Sequence, residues 1–136
     1  MIADGRTARP TIVVADDDLL FSSRIATTLE TLGYYPLVVR TLDAFVDALA
    51  AAPAAAILNL ASGRLDAIDA IRRARADTAG RRVPLLGFCG HADIPHQIAA
   101  RAAGCDLVAS NGEVTGNLSR LLGQLLATPQ PQTPAR

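Results

Sequence analysis

The feature that most constrains this chain is an alternation. Short apolar runs alternate with stretches of helical periodicity, five times over, between residues 11 and 127. The apolar runs are "TIVVA" (11–15), "YPLVVR" (35–40), "AAAILNL" (54–60), "VPLLGF" (83–88) and "CDLVAS" (105–110). Between them Phe21, Ile25, Leu29 and Leu32 recur at helical spacing up to Gly33, and Leu42, Phe45, Val46 and Leu49 do so up to Pro53. Leu65, Ile68 and Ile71 open a third helix that runs into "RRARAD" and stops near Gly80. Ile94 to Ala103 forms a small Ala-rich helix closed by Gly104, and Val114, Leu118, Leu121, Leu122 and Leu125 mark a last amphipathic helix. Strands buried on both faces and separated by helices make a parallel sheet covered on both sides, because parallel neighbours need a crossover of helical length. Right-handed crossovers make it a doubly wound three-layer (βα)5 sandwich. Pro36, near the start of the second strand, suits a sheet edge.

Composition narrows the class. The chain has 136 residues, half of them apolar, which is enough for one domain with a real core. A net charge of zero gives no electrostatic footprint for nucleic acid or an anionic membrane. No apolar run nears the ~20 residues that span a bilayer, and "MIADGRTARP" lacks the pattern of a secretory signal. The expectation is a cytoplasmic protein. Residues 1–10 read as a flexible arm, 11–127 as the domain, and the Pro- and Gln-rich 128–136 as a disordered tail. All thirteen basic residues are Arg, and Lys is absent.

In doubly wound sheets the functional crevice lies beyond the carboxyl ends of the strands. The residues at those ends are Asp16, Asp17 and Asp18, Asn59, Cys89 and Gly90, and Ser110 and Asn111. Adjacent carboxylates at a strand tip suit a hard divalent cation. Helix capping is the competing reading, with Asp18 as the expected cap. Nothing at these tips groups Ser, His and Asp for hydrolysis, and neither G-x-G-x-x-G nor G-x-x-x-x-G-K-[ST] follows the first strand. His91 and His96 have no third metal ligand at sensible spacing.

The order of elements, "VVADDD", "VPLLGFCGHAD" and "AAGCDLVAS" together resemble the response-regulator receiver domain of two-component signalling, over roughly residues 10–127. The resemblance implies a flavodoxin-like parallel sheet of order 2-1-3-4-5. It implies that Asp16 and Asp17 correspond to the Mg²⁺-binding acid pair. Asn59 falls where the phosphoacceptor Asp stands. Cys89, thirty residues on, falls at the hydroxyl position, and Asn111, twenty-two beyond that, at the Lys position. Val108 takes the place of the aromatic switch residue.

The departures are systematic. An amide has no anionic oxygen to attack phosphorus, a thiol is a weak hydrogen-bond donor, and Asn111 supplies no cation. A chain without Lys offers no realignment that restores one. Asp66, on or near the next helix, is a poor substitute nucleophile, because a strand tip fixes in-line geometry that a helix residue would have to recreate. Losing one carboxylate and one Lys leaves the formal charge of the pocket unchanged, so weak Mg²⁺ binding at Asp16 and Asp17, with the Asn59 amide oxygen as a poor ligand, stays open.

Cys89 belongs at the C-terminal tip of strand four and Cys105 at the opposite end of strand five. A strand of that length separates its ends by ~17–20 Å, too far for a disulfide. Cys89 reads as a buried inert thiol, with a reactive thiol as the alternative. The expected function is a stand-alone pseudo-receiver, not an enzyme. It would act as a phosphorylation-independent module that binds a signalling protein or pairs with itself, a homodimer through residues 94–126 being one form. The alternative is a receiver still switched by phosphorylation, metal or a small ligand at a remodelled pocket.

Overall fold

A computed structural model describes residues 9–127. Five strands, β1 (Thr11–Ala15), β2 (Tyr35–Val39), β3 (Ala55–Asn59), β4 (Leu85–Cys89) and β5 (Leu107–Ser110), form one sheet in the order β2-β1-β3-β4-β5. Every pairing is parallel. The order that the receiver-domain resemblance implies is therefore the order found, with β2 at one edge and β5 at the other. The helices are α1 (Leu19–Thr31), α2 (Leu42–Leu49), α3 (Ala67–Ala76), α4 (Ile94–Ala103), α5 (Asn111–Gly116) and α6 (Leu118–Ala127).

The pleat sorts the strand side chains into two cores. Val13, Ala15, Ala56, Leu58 and Leu85 face α2, α3 and α4 and pack with Phe45, Leu49 and Ile71. Ile12, Val14, Ile57, Leu86 and Phe88 face the other way, with Ile25 and Leu29 of α1, Val114 of α5 and Leu121 of α6. The central strands are apolar throughout because both faces are covered. Gly87 in β4 has no side chain because Leu60 lies where a Cβ would stand, 2.8 Å from its Cδ2.

Two boundaries differ from the periodicity. Leu65, expected to open α3, lies before it: Asp66 adopts φ 53°, caps the helix by accepting from the Asp69 N–H, and leaves Leu65 fully buried outside the first turn. The last helix is two helices, broken at Asn117, whose φ of −136° and ψ of 34° are not helical. Arg9 and Pro10, assigned to the N-terminal arm, are tied down. Arg9 donates to the Tyr34 carbonyl at 2.9 Å, and Pro10 accepts from the Tyr35 N–H at 2.8 Å. The remainder of that arm and the 128–136 tail lie outside the described residues. Among the described residues no helix is long and apolar enough to cross a membrane.

Candidate functional site

The parallel order brings the ends of β1, β3, β4 and β5 to one edge of the sheet. Asp16 follows β1 directly. Its N–H donates to the Val39 carbonyl of β2 at 3.0 Å, which holds it in line with the strand. Its side chain is fully buried. Oδ1 accepts two hydrogen bonds, from the Asp18 N–H at 3.0 Å and from Nδ2 of Asn59 at 3.0 Å. Oδ2 is buried with no partner. Burial pushes this carboxyl above its ordinary value of 3.8. The two hydrogen bonds pull it back, and the nearby Asp18 and Asp17 charges push it further up.

Asp17 is committed to the neighbouring loop, where its Oδ2 accepts from the Arg64 N–H at 2.8 Å. Asp18 is the N-cap of α1, accepting from the Phe21 N–H at 2.8 Å. The capping reading of "DDD" is thus realised at Asp18, while Asp16 lies buried against Asn59 and Asp17 faces the next loop.

Asn59 is the last residue of β3 and is half-buried. Its amide is oriented by contacts on both sides. Nδ2 points at Asp16, and Oδ1 accepts from the Ala61 N–H at 3.0 Å. Each contact demands that orientation, since a carboxylate needs a donor and a backbone N–H an acceptor.

Cys89 ends β4, buried, and pairs in register with Ser110. Its Sγ lies 3.8 Å from the Asp93 carbonyl. Burial, then the Asp93 charge, raises the thiol above its ordinary value. Asp93 caps α4 and holds Nδ1 of His96 at 2.6 Å. Cys105, half-buried before β5, is pushed up to about 11 chiefly by burial. Both thiols are free, and neither environment favours a thiolate.

Val108 sits half-buried in β5 opposite Gly87 and packs against the larger core. Asn111 is exposed and is the first residue of α5 rather than a loop tip, because Ser110 both ends β5 and caps α5. Ser110 Oγ accepts from the Glu113 N–H at 3.1 Å, and Glu113 Oε1 accepts from the Ser110 N–H at 2.8 Å. This reciprocal pair is readable as Ser-Asn-Gly-Glu. No such signal exists for the Arg64 backbone contact, since any residue but Pro supplies an N–H.

The structure therefore joins Asp16 to Asn59 directly and Asp17 to the loop after β3. It sets Cys89 at the tip of β4 and Asn111, exposed, at the start of α5. Asp66, as the cap of α3, is engaged in its own helix. Among the described residues no three His, Cys, Asp or Glu side chains are grouped to hold a metal. As arranged, the pocket suits Mg²⁺ poorly. One Asp16 oxygen carries two donors, the other is closed off from solvent, and Asn59 turns its NH₂ rather than its oxygen toward Asp16.

No protein-family model matches the sequence, and no curated protein matches it. Solved structures do resemble it. The receiver domain of the sensor histidine kinase PA1611 from Pseudomonas aeruginosa, solved with a magnesium ion in its active-site cleft, superposes with a TM-score of 0.79 at 22% identity, over 88% of this chain and 99% of that one. The chemotaxis protein CheY4 of Vibrio cholerae gives 0.78 at 15% identity, over 87% and 99%. A signal receiver domain from Bermanella marisrubri gives 0.74 at 22%, over 87% and 98%. With the sheet order, these likenesses establish that the chain has the fold of response-regulator receiver domains.

Proposed function

We propose that this chain is a pseudo-receiver, an interaction module in signal transduction that works without phosphotransfer. The observation that carries the reading is the 3.0 Å hydrogen bond from Asn59 Nδ2 to Asp16 Oδ1. At the address that the receiver fold gives to a nucleophilic carboxylate, the side chain is an amide whose two ends are both spent inside the protein. Asn59 lacks a nucleophilic oxygen, Asn111 lacks a cation, and Cys89 holds a buried thiol with a raised pKa. The three strand tips that would attack, neutralise and hold a phosphoryl group thus lack the groups for it. No catalytic residue is assigned and no cofactor is required. The partner is a protein, either another signalling component or a second copy.

Incubation with a small-molecule phosphodonor and Mg²⁺, followed by intact-mass measurement, tests this. The expected result is no adduct. A stoichiometric gain of about 80 Da, one phosphoryl group, would overturn it. The unpartnered Asp16 Oδ2 favours a second reading, a pocket switched by a small donor ligand. Under that reading a bound donor would complete the hydrogen bonding of the buried carboxyl, and binding would displace the Asn59 amide.

A further inference from the structure

The formal charge of the whole chain is zero, but the charge is not evenly spread. A parallel sheet places the N-terminus of each helix that follows a strand at one end, and carboxylates gather there to cap helices and match their dipoles. Asp18 and Asp66 are caps, Asp43 and Glu113 occupy first turns, and all four are exposed. Arg40 and Arg64 are the basic residues in the loops of that end.

The opposite end carries acids too, Glu30 and Asp47 near the ends of α1 and α2, but its basic residues are concentrated in one segment. "RRARADTAGRR" (72–82) covers the end of α3 and the turn into β4 and holds five Arg against one Asp. Arg73 is paired with Asp69, and Arg75 is tied into the fold. Arg72, Arg81 and Arg82 are exposed and have no carboxylate partner among the described residues. The backbone that carries Arg81 and Arg82 is held in place. Arg75 Nη1 holds the Arg81 carbonyl at 3.1 Å and the Val83 carbonyl at 2.9 Å, so the turn that carries Arg81 and Arg82 is pinned around a rigid centre. Arg72 stands one helical turn before Arg75.

From this charge complementarity we propose that the two ends bind each other between copies. The acidic end of one chain meets the Arg72, Arg81 and Arg82 corner of the next, in a head-to-tail contact. Two features favour it. Zero net charge removes the long-range self-repulsion that keeps charged proteins apart, and opposite ends are electrostatically complementary without any rearrangement. Such a contact is heterologous, so it propagates instead of closing on a two-fold dimer. It uses neither Asn59 nor Cys89 and stands apart from the phosphotransfer question.

Sedimentation velocity of the full chain across a concentration series tests it, at ~0.01 M and ~1 M salt, where the Debye length is roughly 30 and 3 Å. The expected result is a sedimentation coefficient that climbs with concentration at low salt and stays monomeric at high salt. The double variant Arg81→Glu/Arg82→Glu, checked for folding by circular dichroism, should remain monomeric at low salt. Mixing it with Asp43→Arg should restore association. A coefficient independent of concentration at low salt would overturn the proposal. So would association that survives high salt or the double variant, or a mixture that stays monomeric.

Discussion

The two ends of the sheet each gather their loops around one charged side chain, Asp16 at the carboxyl end and Arg75 at the amino end. They differ in how fully that side chain is satisfied. Arg75 spends all three nitrogens. Nε donates to the Gly104 carbonyl at 2.8 Å, Nη1 to the carbonyls of Arg81 and Val83, and Nη2 to Asp106 Oδ2 at 2.6 Å. Asp106 in turn accepts from the Leu85 N–H at 2.7 Å. Gly104, at φ 116°, closes α4 and lets the Arg75 stem pass, since a Cβ there would lie 2.8 Å from Arg75 Cγ. Asp16 spends one oxygen on two donors and buries the other with none. A buried acceptor without a donor costs about 1–3 kcal/mol. The amino end is a structural clamp, whereas the carboxyl end retains a cost that the fold alone does not explain. On that contrast we propose the carboxyl end as the functional address of the molecule.

The most forceful way to break this comparison is Arg75→Ala. It strips donors from three carbonyls and Asp106 at once and should cost about 2–4 kcal/mol in chemical denaturation. Arg75→Lys should recover only part of it, because an ammonium cannot span the fork. A cost below about 1 kcal/mol would mean that the clamp is decorative. Asn59→Asp sharpens the other side. A third carboxylate replaces the donor to Asp16, so stability should fall by about 1–2 kcal/mol without metal. Mg²⁺ should then raise the melting temperature of that variant but not of the parent chain. An equal response of both would show that the amide does not close the pocket to metal.

The smallest expected effect is in pH. Because burial holds Asp16 above 3.8, the folded chain binds that proton more tightly than the unfolded chain. The contribution of this group is therefore fully present below 3.8 and is lost as pH rises through the raised folded value. Asp16→Asn should remove that declining component from the profile of stability against pH. Superposable profiles for the two chains would remove the carboxyl from the account.

Much of this was legible beforehand, and the exceptions share a cause. Apolar runs flanked by helical spacing located all five strands, because a strand covered on both faces has no polar side to blur it. In "ADDD" the cap at Asp18 was legible, but the contact of Asp17 with the Arg64 N–H was not, since any residue but Pro supplies that donor. The α5–α6 break was not legible: Val114, Leu118 and Leu121 keep helical spacing across Asn117. The Arg75 clamp was also hidden, because its acceptors are mostly backbone carbonyls from distant segments. Asn59 was placed correctly by its position at a strand tip, but its bond to Asp16 depends on β1 and β3 lying side by side.

The passage from β5 to α5 has a mechanical consequence. A joint turns only if it has spare chain, and here there is none: Ser110 is at once the final strand residue and the helix cap, bound in both directions to Glu113. Any sliding of the β5 tip must drag α5 with it or break both of those bonds. The end of β5 beside Cys89 and the first turn of α5 are therefore coupled, so that a shift in one is passed directly to the other.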